Sequence, residues 1–390
     1  MPAPSAPLRL LIVLPSWVGD AVMATPALRL IRDAYRGAFI GALCRPGIND
    51  LLAGSSLIDE FHVERVSGVM GPKFVAAKVR PRRYDTCLLL TNSFSTALTV
   101  RIAGIPRRVG YDRDARGLLL SHPLAVPKKG PLSKALIPAV TYYYRAAESL
   151  LFSLPPGGRA GEGLAETHQP PDTSTATLDL PRNAFMELAT TPAEESAAND
   201  VLAKALPAGA PASFALLNPG GNNEAKRWPA DRFAHLADHL ARAHGCSILI
   251  NGSPAEAPLC RTIADQTRAR NPGAHCGVLP DAGITLGALK AIVKCSRLMV
   301  TNDTGPRHIA AAFGVPLVSL FGPTDHRWTL IPTRPGAPEE VIVADPTLPA
   351  DQLANDHPQR CRIDRIEVSR VIEACERVLA ASDTPGIGSP

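Results

Sequence analysis

A polar, glycine-containing turn between a predicted strand and a predicted helix has a composition suited to binding phosphate. The strand is the apolar run Leu298–Val300, and the helix is an alanine-rich pattern that ends at Gly314. The turn between them reads Asn302-Asp303-Thr304-Gly305. A helix that begins at this turn has unpaired N–H groups at its start, and its dipole makes that end positive. Phosphate oxygens bind at such helix ends.

Three residues of this segment are candidate phosphate ligands. Gly305 allows a ligand to approach the backbone closely, while Thr304 and His308 can supply side-chain donors. The alternative is a capped helix without a ligand, in which Asp303 or Thr304 accepts hydrogen bonds from the first N–H groups. The spacing alone leaves both interpretations open.

A second turn of the same kind follows the apolar run Phe214–Leu217. It reads Asn218-Pro219-Gly220-Gly221. Lys226 and Arg227 come shortly afterwards, before the next helical pattern. Cations beside a flexible turn can neutralise a diphosphate leaving group. The alternative is an ordinary strand-to-helix loop with solvated charges.

Asp20 is a candidate general base. It follows the apolar run Leu10–Leu14 and stands at the start of a helical pattern over residues 21–34. A carboxylate on such a turn can accept the proton of an attacking hydroxyl group. An aspartate in this position can instead be an N-cap, which stabilises a helix by about 1 kcal/mol and does no chemistry.

Short apolar runs alternate with amphipathic stretches along the chain, which predicts an α/β fold with parallel sheets covered on both faces. A chain of 390 residues is too long for one core, so two domains are expected. The segment 154–181 is rich in Pro, Gly, Ala and Thr and predicts a mobile insertion or linker. The predicted strands are 10–14, 38–43, 86–90, 215–217, 247–250, 298–300 and 317–320.

Several protein classes lack their motifs in this sequence. The first predicted strand does not run into the Gly-x-Gly-x-x-Gly turn of dinucleotide-binding enzymes, and neither a P-loop nor a Gly-x-Ser-x-Gly elbow occurs. No apolar run approaches the ~20 residues that span a bilayer. The eight cysteines are scattered without Cys-x-x-Cys pairs, which predicts reduced thiols in a cytosolic protein and no zinc site.

Positive charge is concentrated in the N-terminal part of the chain. Residues 1–150 carry 20 Lys and Arg residues against 10 Asp and Glu residues, whereas the rest carries 21 against 26. This asymmetry predicts an anionic partner for the N-terminal part. Nucleic acid is not expected, because no nucleic-acid-binding motif occurs and aromatic residues make up only 5% of the chain. The alternative is an ordinary solvated surface.

Taken together, these motifs resemble those of the bacterial lipopolysaccharide heptosyltransferases, glycosyltransferase family 9. The motifs that carry the resemblance are Asn218-Pro-Gly-Gly221 with Lys226-Arg-Trp-Pro229, Thr301-Asn-Asp-Thr-Gly-Pro-Arg-His308 and Phe321-Gly-Pro-Thr324. Three further blocks resemble the heptosyltransferase II branch, and they are Pro15-Ser-Trp-Val-Gly-Asp20, Asn92-Ser-Phe-Ser-Thr-Ala97 and Ala103-Gly-Ile-Pro-Arg107. The blocks follow the family's order over most of the chain.

The resemblance implies a GT-B fold, in which two doubly wound Rossmann-like domains face a central cleft. Residues 1–180 would form the acceptor-binding domain, and residues 190–355 the nucleotide-sugar-binding domain. A C-terminal helix over 364–382 would cross back to the N-terminal domain.

The resemblance also implies an inverting transfer of heptose from ADP-L-glycero-D-manno-heptose to the inner core of lipopolysaccharide. Asp20 would be the base, Lys226 a second catalytic residue, and Glu256 a ligand of the ribose hydroxyls. The implied donor ligands are Asn222, Lys226, Glu256, Asp303, Thr304, Gly305 and His308. Asn222 stands where relatives often carry a hydroxyl or small residue, so its contact stays open. No metal or other cofactor is expected, because no Asp-x-Asp motif lies near these turns.

The implied acceptor is an anionic lipopolysaccharide precursor, and the expected location is the cytoplasm, peripheral to the inner face of the cytoplasmic membrane. Arg107, Arg108, Arg113 and Arg116 would bind this acceptor. One alternative is a family member that transfers a different sugar from a nucleotide donor. The other is a noncatalytic protein of the same fold that binds a sugar nucleotide or a glycolipid.

Overall fold

The computed structural model describes residues 8–126, 136–153, 178–334 and 336–383. The predicted insertion 154–181 lies outside the described residues, except for its last four positions. The chain divides into two compact units. The first comprises Met1–Met186 with Arg327–Leu330, and the second comprises Glu187–His326 with Ile331–Pro390. The boundary at Met186 falls in the interval between the two predicted domains.

The first unit contains a six-stranded parallel sheet. Its strands are β1 (Arg9–Val13), β2 (Phe39–Cys44), β3 (Glu60–Val63), β4 (Thr86–Leu89), β5 (Arg107–Tyr111) and β6 (His122–Leu124). Their order across the sheet is β3-β2-β1-β4-β5-β6. The central strands β1 and β4 are almost entirely buried, because apolar side chains fill both faces of the sheet. All three strands that the sequence predicts in this unit are present.

The described residues of the first unit form six α-helices. They are α1 (Val18–Met23), α2 (Thr25–Ala34), α3 (Ile48–Leu52), α4 (Gly71–Val79), α5 (Phe94–Ile102) and α6 (Ala139–Ser153). The helical pattern over 21–34 forms two helices that meet at Ala24, not one. Pro26 lies in the first turn of α2, where its missing N–H group costs no hydrogen bond.

The second unit repeats this architecture. Its strands are β7 (Phe214–Asn218), β8 (Ser247–Ile250), β9 (Cys276–Val278), β10 (Leu298–Asn302), β11 (Leu317–Phe321) and β12 (Glu339–Val343), in the order β12-β11-β10-β7-β8-β9. Its helices are α7 (Pro192–Ala205), α8 (Ala230–His244), α9 (Ala257–Arg270), α10 (Leu286–Cys295), α11 (Gly305–Phe313) and α12 (Val368–Asp383). The predicted α/β class with two doubly wound parallel sheets is confirmed.

The last helix packs within the second unit. Side chains of α12, among them Val371, Ala374 and Val378, are buried in the same core as Phe233 of α8 and Leu320 of β11. The prediction that this helix crosses back to the N-terminal domain is therefore wrong. Its apolar face fits the groove beside α8 and the sheet, and α12 contacts α8, β10, β11 and β12. Among the described helices, none is both long and apolar enough to cross a bilayer.

Candidate functional sites

Each sheet has one position at which chain connections leave in opposite directions. In the first unit β1 lies between β2 and β4, and in the second unit β7 lies between β8 and β10. Doubly wound folds bind ligands outside the carboxyl ends of the strands at this position. The motifs at residues 15–20, 91–93, 218–221 and 302–305 all follow the carboxyl ends of these strands.

A cavity of about 330 Å³ lies at this position in the first unit. The segments that follow β1, β2 and β4 form much of its wall, and α6 contributes a side chain. Hydroxyl, amide and charged groups of the kind that bind a sugar line it. They belong to Ser16, Asp20, Arg45, Glu64, Thr91, Asn92, Ser93, Ser95, Thr96 and Tyr143.

Asp20 lines this cavity from the first turn of α1. The N-cap of that helix is Trp17, so Asp20 is not the capping residue that the alternative interpretation requires. Oδ1 of Asp20 accepts a hydrogen bond of 2.9 Å from Oη of Tyr143. This bond fixes the carboxylate beside the hydroxyl groups of the cavity, which is where a general base has to lie.

Tyr143 is suited to hold a carboxylate. The residue is buried, and burial together with the negative charge of Asp20 raises the pKa of Tyr143 well above its usual value. The phenol therefore stays protonated and donates to Asp20 across the physiological pH range. Tyr143 is a site residue that the sequence did not reveal, because its α6 segment carries no motif and its spacing resembles that of core residues.

The side chain of Asn92 is oriented by two hydrogen-bond donors. Its Oδ1 accepts hydrogen bonds from Oη of Tyr142, at 3.1 Å, and from Nη2 of Arg116, at 3.3 Å. Tyr142 stacks on Tyr111 with ring centroids 4.0 Å apart. With Oδ1 occupied, the amide nitrogen of Asn92 is the group that can meet a ligand in the cavity.

Arg116 is a core residue and not the surface cation that the sequence predicts. It is completely buried, its Nε donates to the carbonyl of Tyr111 at 2.8 Å, and its guanidinium also donates to the carbonyl of Thr91. Burial lowers the pKa of Arg116. The loop that lines the cavity is thus supported by an arginine that the solvent cannot reach.

The other predicted acceptor residues lie near β5. Arg108 donates to the carbonyls of Leu119, at 2.7 Å, and Ile105, at 2.6 Å, so its guanidinium joins two loops. Arg107 and Arg113 are partly exposed and remain candidates for binding an anion. None of the four predicted acceptor arginines is among the described residues that line the cavity. The arginine that lines it is Arg45.

In the second unit, a chain of buried amides joins the strand ends. Asn218, the last residue of β7, donates from Nδ2 to Oγ1 of Thr304 at 2.8 Å. Its Oδ1 accepts from Nδ2 of Asn251 at 2.6 Å. The turn after β10 is therefore fixed to β7 and β8.

The two turns with predicted phosphate-binding character lie side by side. Asn302 is buried at the end of β10, and its Nδ2 donates to the carbonyl of Pro219 at 2.7 Å. Its Oδ1 accepts from the backbone N–H group of Trp228 at 3.3 Å. One asparagine thus connects the glycine turn, the Lys226–Pro229 segment and the start of α11.

Glu256 holds the glycine turn. Its Oε1 accepts from the N–H group of Gly221 at 2.7 Å, and its Oε2 accepts from the N–H group of Ser253 at 2.8 Å. Burial acts to raise the pKa of Glu256, but the hydrogen bonds from Ser253 and Gly221 outweigh it, and the pKa lies below its usual value. A Cβ atom on Gly220 would lie 2.4 Å from Oε1 of Glu256, so a larger residue here would displace the Glu256 side chain.

Lys226 and Asp303, both predicted from the sequence, form an ion pair. Nζ of Lys226 lies 3.0 Å from Oδ2 of Asp303, and both side chains are largely buried. An ammonium group has three N–H donors, so this pair leaves donors for a further anion. Asn222, a predicted donor ligand in the same loop, is exposed.

The start of α11 keeps its N–H groups free of side-chain caps. Thr304 is the N-cap residue, yet its hydroxyl makes no capping hydrogen bond and meets Asn218 instead. His308, in the first turn, is buried with an unpaired Nδ1 atom. Burial, reinforced by the charge of Arg307, holds the pKa of His308 well below its usual value, so the imidazole is neutral. Thr304 is thus an N-cap residue by its backbone conformation alone, and phosphate binding at this turn stays a prediction.

The chain is similar to known proteins of one family. Residues 165–353 match the sequence model of glycosyltransferase family 9 (heptosyltransferase). The chain is 27% identical over 351 residues to lipopolysaccharide heptosyltransferase 2 of Escherichia coli K12, a match that covers 83% of this chain and 85% of that protein. It is 28% identical over 335 residues to lipooligosaccharide heptosyltransferase 2 of Haemophilus ducreyi, with the same coverage.

Solved structures agree on the fold. The structure of ADP-heptose lipopolysaccharide heptosyltransferase II from Escherichia coli matches with a TM-score of 0.73 at 23% identity, over 97% of this chain and 100% of the other. A glycosyltransferase family 9 protein from Veillonella parvula matches with a TM-score of 0.72 at 19% identity, over 96% and 97% of the two chains. The resemblance inferred from the motifs is confirmed.

Proposed function

Because the chain carries the domain of glycosyltransferase family 9, we propose that it transfers heptose from ADP-L-glycero-D-manno-heptose to the inner core of lipopolysaccharide. The protein is a glycosyltransferase of lipopolysaccharide core biosynthesis, similar over 83% of its length to heptosyltransferase 2. One observation carries the reaction type. Asp20, a carboxylate fixed by Tyr143, lies in a cavity lined with hydroxyl groups, where it can take the proton of an acceptor hydroxyl. Attack from the face opposite the leaving ADP then inverts the anomeric centre.

The donor site of this proposal is in the second unit. The diphosphate binds the N–H group of Gly305 at the positive end of α11 and the ammonium group of Lys226. The unpaired Nδ1 atom of neutral His308 gives the donor a further hydrogen-bonding partner. Lys226 stabilises the negative charge that develops on ADP as the glycosidic bond breaks, which makes it a catalytic residue.

Glu256 and Asp303 have two functions in this proposal. Each shapes a turn through the contacts described above, and each lies where the nucleoside sugar or the transferred sugar binds. Thr304 and Gly305 present the backbone of the α11 start to the diphosphate. Asn222, exposed beside these turns, stays a predicted ligand of the nucleotide sugar.

The acceptor site of this proposal is the cavity of the first unit. Hydroxyl-bearing side chains on the turns after β1 and β4 can bind sugar hydroxyls, and Arg45 supplies a cation for an acidic sugar of the inner core. Partly exposed Arg107 and Arg113 extend the positive charge outside the cavity. The acceptor is thereby bound by a unit other than the one that binds the donor.

Transfer requires no metal ion in this account. In this proposal the ammonium group of Lys226 and the N-terminus of α11 bind the diphosphate in place of a divalent ion. We expect the rate of transfer to be unchanged in excess EDTA. A strict requirement for an added divalent ion after chelation would contradict this assignment.

We place the enzyme in the cytoplasm, on the inner face of the cytoplasmic membrane. A patch around α4, formed by Val69, Met70 and Phe74 with the exposed cations Arg65 and Lys73, carries apolar and positive groups together. Such a surface suits an anionic lipid interface. Replacing Val69, Met70 and Phe74 by serine should abolish co-sedimentation with anionic phospholipid vesicles. Leu118→Ser, a change at an equally exposed position, should not.

The reaction is tested by incubating the purified protein with nucleotide sugars and a heptose-deficient inner-core acceptor. We expect ADP release and a product one heptose heavier with ADP-L-glycero-D-manno-heptose, with an inverted anomeric configuration by NMR. Faster transfer from another nucleotide sugar would instead support the alternative of a family member with a different donor. Binding of donor and acceptor without any product would support a noncatalytic binding protein.

A further inference from the structure

Two histidines of α8 and one glutamate of α12 converge on a single point of the second unit. Nε2 of His239 and Nε2 of His244 each lie 2.9 Å from the same atom, Oε1 of Glu376. These three atoms lie within 4.8 Å of one another. The side chains are partly buried, with exposed fractions of 32%, 16% and 46%.

From this geometry we propose that His239, His244 and Glu376 form a binding site for a divalent transition-metal ion, with Zn²⁺ as the preferred ion. Imidazole nitrogen and carboxylate oxygen bind Zn²⁺ at about 2.0–2.2 Å, which places tetrahedral ligands about 3.4 Å apart. The two nitrogen–oxygen distances need to widen by only about 0.5 Å to admit the ion. The exposed side of the cluster leaves room for water as a fourth ligand.

The donor set of the cluster suits a transition metal. Two imidazoles directed at one carboxylate oxygen supply both nitrogen ligands of a two-histidine, one-carboxylate set. An ordinary ion pair with Glu376 would need only one of the two histidines.

The metal site is structural and separate from sugar transfer. α8 follows β7 and runs back along the sheet, so His239 and His244, in its last two turns, lie toward the opposite edge from the turns at residues 218–221. Glu376 lies on α12, whose inner face packs in the core of the unit. A bound ion therefore joins the last helix of the chain to α8, and this role does not depend on the proposed reaction.

The test uses full-length, tag-free protein, stripped with a chelator and then freed of it. Cys295, the exposed cysteine, is replaced by serine in all samples so that its thiol does not bind the ion. Calorimetric titration with Zn²⁺ should show one ion per chain, and Co²⁺ should give the visible absorption of a low-coordinate site. At a hundredfold excess over Kd the ion should raise Tm by about 5 °C or more.

Variants of the three ligands should lose this behaviour. His239→Gln, His244→Gln and Glu376→Gln should each weaken Zn²⁺ binding by about a hundredfold and remove the rise in Tm. His235→Gln, a change at an exposed histidine one turn earlier in α8, should leave both unchanged. The proposal is overturned if wild-type protein binds no stoichiometric Zn²⁺, if both histidine variants bind it as tightly as wild type, or if His235→Gln removes binding.

Discussion

Among single residues, Tyr143 determines how Asp20 is held. The phenol donates to one carboxylate oxygen, and a hydrogen bond to the ionised form of an acid favours that form. The hydrogen bond thereby orients the carboxylate in the cavity. This makes Tyr143 a positioning residue that acts through Asp20.

Tyr143→Phe removes this donor and keeps the ring. We expect kcat to fall about tenfold at neutral pH with unchanged ADP affinity, because the carboxylate loses the charge-assisted hydrogen bond that orients it. The measurement is kcat beside the ADP affinity of the variant. Tyr144→Phe, on the same helix, is the matched control and should keep the wild-type rate. A wild-type kcat in Tyr143→Phe would refute the role.

His308 makes stability depend on pH. Its folded-state pKa lies well below the unfolded value of about 6.5, so below pH 6.5 the unfolded chain binds a proton that the folded chain does not. Neutral, buried His308 therefore contributes to the free energy of unfolding above pH 6.5, and this contribution is lost as the pH falls. Between pH 7 and 5.5 wild type should lose about 1 kcal/mol more unfolding free energy than His308→Gln, measured in urea. Exposed His235→Gln should behave like wild type, and equal slopes for wild type and His308→Gln would exclude the effect.

The sequence motifs name Asp20, Lys226, Glu256 and Asp303 as candidate site residues, because each stands after a strand in a motif that resembles the family's. Their roles follow from the resemblance and stay predictions. The burial of Arg116 could not be predicted, because a sequence does not show which arginine has carbonyl groups around it. Tyr143 could not be predicted either, because its partner Asp20 is 123 residues away in the chain.

Among the elements, the glycine turn after β7 lies directly against the Glu256 side chain. A Cβ atom at position 220 would lie 2.4 Å from Oε1 of Glu256, whereas a Cβ atom on Gly221 meets nothing closer than 3.7 Å. Gly220→Ala should therefore displace Glu256, cost about 1–3 kcal/mol of stability and weaken ADP binding at least about tenfold. Gly221→Ala should be close to wild type in both stability and ADP affinity. Isothermal titration with ADP distinguishes them, and equal affinities would show that the turn does not shape the site.

The seven predicted strands are all present because their apolar runs are buried on both faces. The strands that the sequence did not predict are the short or polar ones. β5 begins with Arg107 and Arg108, and β12 begins with Glu339 and Glu340, so neither shows a continuous apolar run. Their strand conformation depends on pairing with β4 and β11, which is tertiary information that a single sequence does not contain.

At the scale of the whole molecule, the position of α12 changes where the chain can be divided. The second unit contains its own last helix, so a fragment from Glu187 to the C-terminus should fold and bind ADP without transferring sugar. A matched fragment that ends at Ile366 lacks α12 and exposes the core that Val371 and Val378 cover, and it should not fold. Circular dichroism and ADP titration test both. Equal folding of the two fragments would show that α12 is dispensable to this unit.

The central claim is that Asp20, in the first unit, is the base for a sugar bound as its ADP derivative in the second. Asp20→Asn keeps the size of the side chain and an oxygen that accepts from Tyr143, but removes its basicity. Single-turnover transfer by this variant, measured beside its ADP affinity, tests the claim most directly. The account predicts a rate lower by about 10²–10⁴-fold with unchanged ADP affinity and Tm. Transfer at close to the wild-type rate by folded Asp20→Asn would contradict it.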